Sequence, residues 1–216
     1  MKSRRAGPGG HNRSRRGNYH HGMLRDALIR ATDEILCERG AVGFTLREAA
    51  RRAGVSVSAP SHHFGSAAGL LTEAAIAGFE ELTRVLRNAA DGATAPAARL
   101  RAQGAGYVRF ALAHPGRFQL MFRHDLVLAG DDRLAAAGQA AYAELETSVG
   151  AYLAGTDSVA DEVLRSTVLG AWSTVHGFAH LALDGKFTTM SQPRSLSDFV
   201  SDALPGVLLA AWPDKE

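Results

Sequence analysis

Apolar residues recur every three to four positions along most of this chain, and strand-like alternation is absent, which predicts an all-α fold. The first stripe, Leu24, Ala27, Leu28, Ala31, Ile35 and Leu36, gives a helix over about 20–39 that stops at Arg39-Gly40. Further helices are expected at about 45–53, 56–63, 66–90, 96–113, 116–123, 131–154, 158–183 and 195–212. The stripe over 66–90, from Leu70 and Leu71 through Phe79 to Leu86, is long enough to bridge two domains. Asp91-Gly92 breaks it, and Pro96 opens the next helix at its first turn. His114-Pro115-Gly116 is a stop-and-restart signal. Gly155-Thr156-Asp157-Ser158 separates two long helices, with Ser158 as N-cap. Residues 184–194 read as a loop, and Pro205-Gly206 predicts a kink in the last helix.

The most informative local pattern runs from Phe44 to Phe64. Thr45 and Glu48 form a capping box, in which the hydroxyl accepts from the Glu48 N–H and the carboxylate reaches back to the Thr45 N–H. The helix so started buries Leu46, Ala49, Ala50 and Ala53 and ends at Gly54, a C′ residue suited to the left-handed region. Val55 then plugs the angle to a second short helix, capped by Ser56 or Ser58 and running to His63. Two short helices joined by a tight glycine turn make a helix-turn-helix, whose second helix lies in a DNA major groove.

Composition adds an asymmetry of charge. Lys2, Arg4, Arg5, Arg13, Arg15, Arg16 and Arg25 are the charged residues up to position 25, so a net charge of +2 for 216 residues leaves 26–216 at −5. A basic head on an acidic body points to a polyanionic partner for the head, with a merely solvated tail as the alternative. Residues 1–17, rich in Gly, Arg, Ser and Asn and without apolar periodicity, are expected to be a disordered basic arm. No apolar run reaches the ~18–20 residues of a membrane span, and no apolar signal segment follows the basic start, so a cytoplasmic protein is expected. Cys37, beside Leu36, is expected to be a buried thiol. Internal repeats, phosphate-binding loops and dinucleotide fingerprints are absent from the sequence.

Tyr19-His-His-Gly22, the 20–39 helix, the Ala-x-x-x-Gly-Val turn at Ala50–Val55, and His63-Phe64-Gly65-Ser66 leading into Gly69-Leu-Leu71 follow one another in a specific order. In that order and spacing, residues 18–80 resemble the DNA-binding domain of the TetR family of transcriptional regulators. The resemblance implies a basic arm at 1–17, a helix-turn-helix domain at 18–65, a connecting helix at 66–91 and a ligand-binding and dimerisation domain at 92–216. It implies DNA contacts from Arg13, Arg15 and Arg16 of the arm, from Thr45 and Arg47, and from Ser56, Val57, Ser58, Ser61 and His62. Arg47 suits a guanine edge or a phosphate, and Val57 a thymine methyl. Either Arg47 has that role or it is a solvated arginine. His62 and His63 point about 100° apart and cannot chelate as a pair; one is expected to face phosphate and the other to pack beneath the helix. Two positions depart from the family pattern: Ser61 stands where a phosphate-binding tyrosine is common, and Ala67 where a lysine is common. Pro60, one turn into the second helix, predicts an irregular start.

In the body, Trp172-Ser-Thr-Val-His176-Gly177 resembles a Trp…His-Gly element of one branch of the family. Ser166, Gly170, Ser173, Thr174 and Gly177 form a stripe of small residues on one helix, which admits either a second protomer or a helix of the same chain. Phe110, Phe118, Met121, Phe122, Tyr142, Trp172 and His176 stand among small residues and either line a ligand cavity or form an ordinary core. His176 and His180, at i and i+4, are spaced to share a metal, but without a third ligand a hydrogen-bonded histidine is expected, and no metal or cofactor is. The resemblance implies a homodimeric regulator, a repressor released from its DNA operator by a small apolar or aromatic molecule. Two other classes stay open: an all-α enzyme using His176, His180 and Asp184, and a DNA-binding dimer without ligand response.

Overall fold

The computed structural model describes residues 13–154, 160–191 and 194–214, with side chains from residue 23 onward. Its α-helices are α1 (Arg13–Arg39), α2 (Leu46–Ala53), α3 (Ala59–Phe64), α4 (Ala67–Asp91), α5 (Pro96–Ala113), α6 (Pro115–Met121), α7 (Asp132–Leu153), α8 (Asp161–Leu183), α9 (Thr188–Ser191) and α10 (Leu196–Ala211). The architecture is all-helical, with a small N-terminal unit and a larger C-terminal one.

Helix starts follow their caps. Thr45 Oγ1 accepts from the Glu48 N–H at 3.2 Å, Ser66 from Gly69 at 3.1 Å, Asp131 from Arg133 and Leu134 at 3.0 Å, and Ser195 from Asp198 at 3.1 Å. The box expected at Thr45 is only half formed, because the Glu48 carboxylate binds Arg51 and Arg52 instead. Gly54 ends α2 at φ 68°, ψ 31°, with the Val55 N–H bonding back to the Ala50 carbonyl at 3.0 Å. The proposed N-cap Ser158 lies outside the described residues.

Several expected boundaries move. Backbone helix α1 begins at Arg13, so the arm expected at 1–17 is helical over 13–17; arginine is a good helix former, and extending an existing helix is cheap. Helix α3 begins at Ala59, three residues late and without a side-chain cap, because Pro60 takes an N-terminal position where its missing N–H is not needed. Residues 184–194 hold the short helix α9 rather than only a loop. Helix α10 carries Pro205 inside its span. Cys37 is exposed, not buried: α1 turns Leu28, Ala31, Ile35 and Leu36 inward, and the next residue after Leu36 emerges about 100° away.

Two hydrophobic clusters result, and α4 belongs to both. Leu70, Leu71, Ala74 and Ala75 pack with Leu28, Ile35, Leu36 and Ala49 of the head. Leu82 and Leu86, two turns further, pack with Leu100, Val108, Phe118 and Val175 of the body. Helix α6 sits at the seam: Leu120 joins the head cluster, Phe118 and Met121 the body cluster. A Cβ on Gly116 would lie 2.5 Å from the backbone carbon of Leu36, so only glycine lets α6 dock this closely on α1.

Candidate functional site

The outer face of α2 and α3 is a surface of short and basic side chains. Ala49 and Ala50 are fully buried and seat α2 on α1, which turns Arg47 outward. Arg47 is exposed and makes no hydrogen bond or ion pair among the described residues. Its neighbours are committed to structure: Arg52 forks onto Glu38 at 2.6 and 3.0 Å and onto Glu48 at 2.9 Å, tying α2 to α1. Hydrogen bonds from Arg51 and then Arg52 lower the Glu48 carboxyl to about 2.

Ser56, Ser58, Ser61 and His62 are exposed, and Val57 is 61% exposed although apolar. The Ser56 and Ser58 hydroxyls lie 3.3 Å apart, and the Thr45 hydroxyl serves as the α2 cap. Pro60 is buried and Phe64, one turn later, is half-buried. That pair faces inward, so His62 and His63 both emerge, against the expectation that one would pack beneath the helix. The side chains of Arg13, Arg15 and Arg16 lie outside the described residues.

The body encloses a cavity of about 540 Å³. Phe79, Leu82 and Leu86 of α4, Tyr142 and Leu145 of α7, and Trp172 and Val175 of α8 form much of its wall. Met121 and Phe122 close it beside α6, and His124 and residues 127–131 of the α6–α7 segment form one side. That segment is pinned to α4 by the Leu128 N–H donating to Thr72 Oγ1 at 2.8 Å.

Of the residues expected to line a cavity, Met121, Phe122, Tyr142 and Trp172 do so. Phe110, Phe118 and His176 do not, and the last two pack against residues of the wall. Phe118 is fully buried with its ring 5.7 Å from Tyr107 and 5.4 Å from Phe122. His176 is covered by Phe122 at 4.6 Å and Trp172 at 5.8 Å. Tyr107, Gln103 and Trp212 line the cavity and were missed; the available signal was Gln103 and Tyr107 at i, i+4 on the apolar face of α5.

The polar groups of the wall are joined in a directed chain. The Trp172 Nε1–H donates to the Tyr107 hydroxyl at 3.3 Å, and that hydroxyl lies 2.8 Å from His176 Nδ1. Burial, and then the neighbouring His180, push the His176 pKa down and favour the neutral ring, which accepts from the tyrosine at Nδ1 in the tautomer that carries its proton on Nε2. Burial likewise raises the Tyr107 phenol and keeps it a donor. Among the described residues no group of three or more His, Cys, Asp or Glu side chains is arranged to hold a metal.

Ser166, Gly170 and Ser173 are exposed on α8, with Gly177 half-buried beside them. A Cβ at Gly170 or Gly177 would meet nothing within 4 Å, so among the described residues no helix of this chain covers the stripe there. The Ser166 and Thr174 hydroxyls bond to carbonyls of their own helix at 2.8 and 2.9 Å, which leaves the surface smooth. Leu169 and Leu181 of α8 and Leu209 of α10 are exposed apolar residues on the same two helices.

Residues 28–74 match the model of the bacterial regulatory proteins of the tetR family, and residues 100–204 match the tetracyclin repressor-like C-terminal domain. The chain belongs to the TetR family of transcriptional regulators. It is therefore a DNA-binding regulator and not an enzyme, and the acid–base reading of His176, His180 and Asp184 falls away. A Rhodococcus sp. RHA1 protein of unknown function is 33% identical over 89% of this chain and 97% of that one, with a TM-score of 0.70. The TetR-family regulator PfmR from Thermus thermophilus shares the fold at 16% identity, covering 84% and 96%, with a TM-score of 0.62. A TetR-like regulator from Rhodococcus sp. RHA1 does so at 14% identity, covering 89% and 97%, TM-score 0.62. No curated protein matches this TetR-family chain in sequence. No described helix is long and apolar enough to cross a membrane.

Proposed function

We propose that the protein is a homodimeric, cytoplasmic repressor that binds a two-fold DNA operator and releases it when a small apolar or aromatic molecule fills the body cavity. The observation that carries this is the position of α6 between cavity and head. Met121 and Phe122 border the cavity, Leu120 packs in the head core, and Arg117 reaches both units. Its guanidinium is ion-paired with Asp33 of α1 and bonds Glu81 of α4 at 2.7 Å. An occupant that displaces Met121 and Phe122 shifts α6, and Arg117 carries that shift to α1.

In this reading Arg47, Ser56, Val57, Ser58, Ser61 and His62 face the major groove, with Thr45 at its edge. Arg13, Arg15 and Arg16 neutralise phosphate. Ser166, Gly170, Ser173 and Gly177 pack against the same stripe of a second protomer, an isologous contact that matches a palindromic operator.

The test is titration of the DNA upstream of its own coding region, with the mass measured in parallel by light scattering. Gly170→Leu is expected to give monomers and at least tenfold weaker operator binding, because a bulky side chain blocks the close helix approach. An unchanged dimer mass moves the interface off α8. Replacing Arg13, Arg15 and Arg16 together by alanine is expected to flatten the salt slope by about 0.9 per lost phosphate contact. Operator binding that no small molecule alters would leave a DNA-binding dimer without an effector.

A further inference from the structure

The wall of the cavity contains one unbalanced polar group. Gln103, on α5, lines the cavity and is 2% exposed. Its Nε2 donates to the Glu144 carbonyl at 3.4 Å, but its Oε1 is the one buried side-chain nitrogen or oxygen among the described residues with no partner. A buried acceptor without a donor is costly, and buried polar groups are therefore almost always paired. The nearest chemistry on α5 cannot serve it. The hydroxyl of Tyr107, one turn on, is held between His176 Nδ1 at 2.8 Å and Trp172 Nε1 at 3.3 Å and makes no hydrogen bond to Oε1.

The charge on the wall narrows the occupant further. No lysine or arginine lines the cavity, and its one basic side chain is His124, so a carboxylate or phosphate inside it would have no permanent counter-charge. Asp131 is the one carboxylate on the wall, and its Oδ1 accepts the Arg133 and Leu134 N–H groups while Arg133 reaches Oδ2. Those bonds use the oxygens a cation would need.

We propose that the effector is an uncharged, largely apolar molecule with one hydroxyl or N–H group, which donates to Gln103 Oε1. This rests on the reading of the cavity as the effector site and gives that site its chemical class. The terminal amide torsion of glutamine is soft, so Oε1 can turn to a donor entering from the cavity.

Both tryptophans of the chain, Trp172 and Trp212, border the cavity, so intrinsic fluorescence of the full-length protein reports occupancy. The probes are 4-octylphenol, its methyl ether 4-octylanisole, and 4-octylbenzoate. The phenol is expected to bind roughly tenfold tighter than the anisole, the scale of one neutral hydrogen bond, and the benzoate at least tenfold weaker than either. Gln103→Leu is expected to abolish the phenol's advantage, so that phenol and anisole bind alike. Gln103→Met replaces it if the leucine variant melts below assay temperature. Equal binding of phenol and anisole to the unaltered protein, or a phenol preference that survives loss of the amide, overturns the inference and leaves the cavity as an effector site. Benzoate binding as tightly as phenol overturns its uncharged class. Quenching by none of the three overturns the inference and the effector site together.

Discussion

At the helix-turn-helix, the small Ala49 and Ala50 are buried beneath α2, while the larger Arg47, Val57 and His62 stand in solvent. In the body the order is reversed. Phe122, Tyr142 and Trp172 turn inward around a void, and the outer face of α8 presents Ser166, Gly170 and Ser173. The head is a rigid mount for an external surface, held by caps and ion pairs. The body keeps an interior that is incompletely filled, and such space is useful only if something else fills it.

The sharpest way to break this contrast is at Phe118 and Phe122, one turn apart. Phe118 is fully buried behind the wall, so Phe118→Ala should cost about 3–5 kcal/mol in thermal or denaturant unfolding. Phe122→Ala should cost less than Phe118→Ala and alter effector affinity. Equal costs for the two would mean that no distinct wall exists.

Arg47→Ala should act in the opposite sense, leaving unfolding unchanged while weakening operator binding by about 1–3 kcal/mol, chiefly at one base pair. A uniform loss over all duplexes would make Arg47 a phosphate contact and shift base reading to Ser56, Val57 and Ser58. Thr45→Ala should remove the α2 cap at about 1 kcal/mol of head stability, measured by chemical denaturation. No change there would mean that Arg52 alone holds α2 to α1.

The smallest effect is a pH dependence whose upper step belongs to the body alone. The folded pKa of His176 lies below its ordinary 6.5, so the unfolded chain binds the proton more readily. Its contribution to stability is present above pH 6.5 and declines as pH falls below it. Glu48 of the head and Asp125 of the α6–α7 segment behave as depressed acids: their contributions are full above about 4.5 and are lost as pH falls toward about 2. The melting temperature should therefore decline in two steps, and His176→Asn should remove only the upper one.

The head was legible in the sequence because its determinants are local. Thr45, Glu48, Gly54 and Val55 lie within one short stretch and fix two helices and the turn between them. What failed there failed for local reasons also, since Pro60 delays α3 and Glu48 prefers two arginines to its own cap. The body's helices were equally readable from their periodicity. Its cavity was not, because the wall is assembled from α4, α5, α7, α8 and the α6–α7 segment, and a stripe does not say whether it faces atoms or a void. Phe118 and Phe122 carry the same side chain, on adjacent turns, with different surroundings. Gln103 shares the apolar face of α5 with Tyr107, but only the packed helices show that its amide is buried.

The outward turn of Cys37 has a practical consequence. It is the single cysteine of the chain, it is exposed, and it lies on α1, where α6 docks. A thiol-directed spin label would therefore attach at one place per protomer without any substitution. In a dimer the two labels form a built-in ruler across the pair of heads, and the change in its length with effector reports how far the heads move relative to one another.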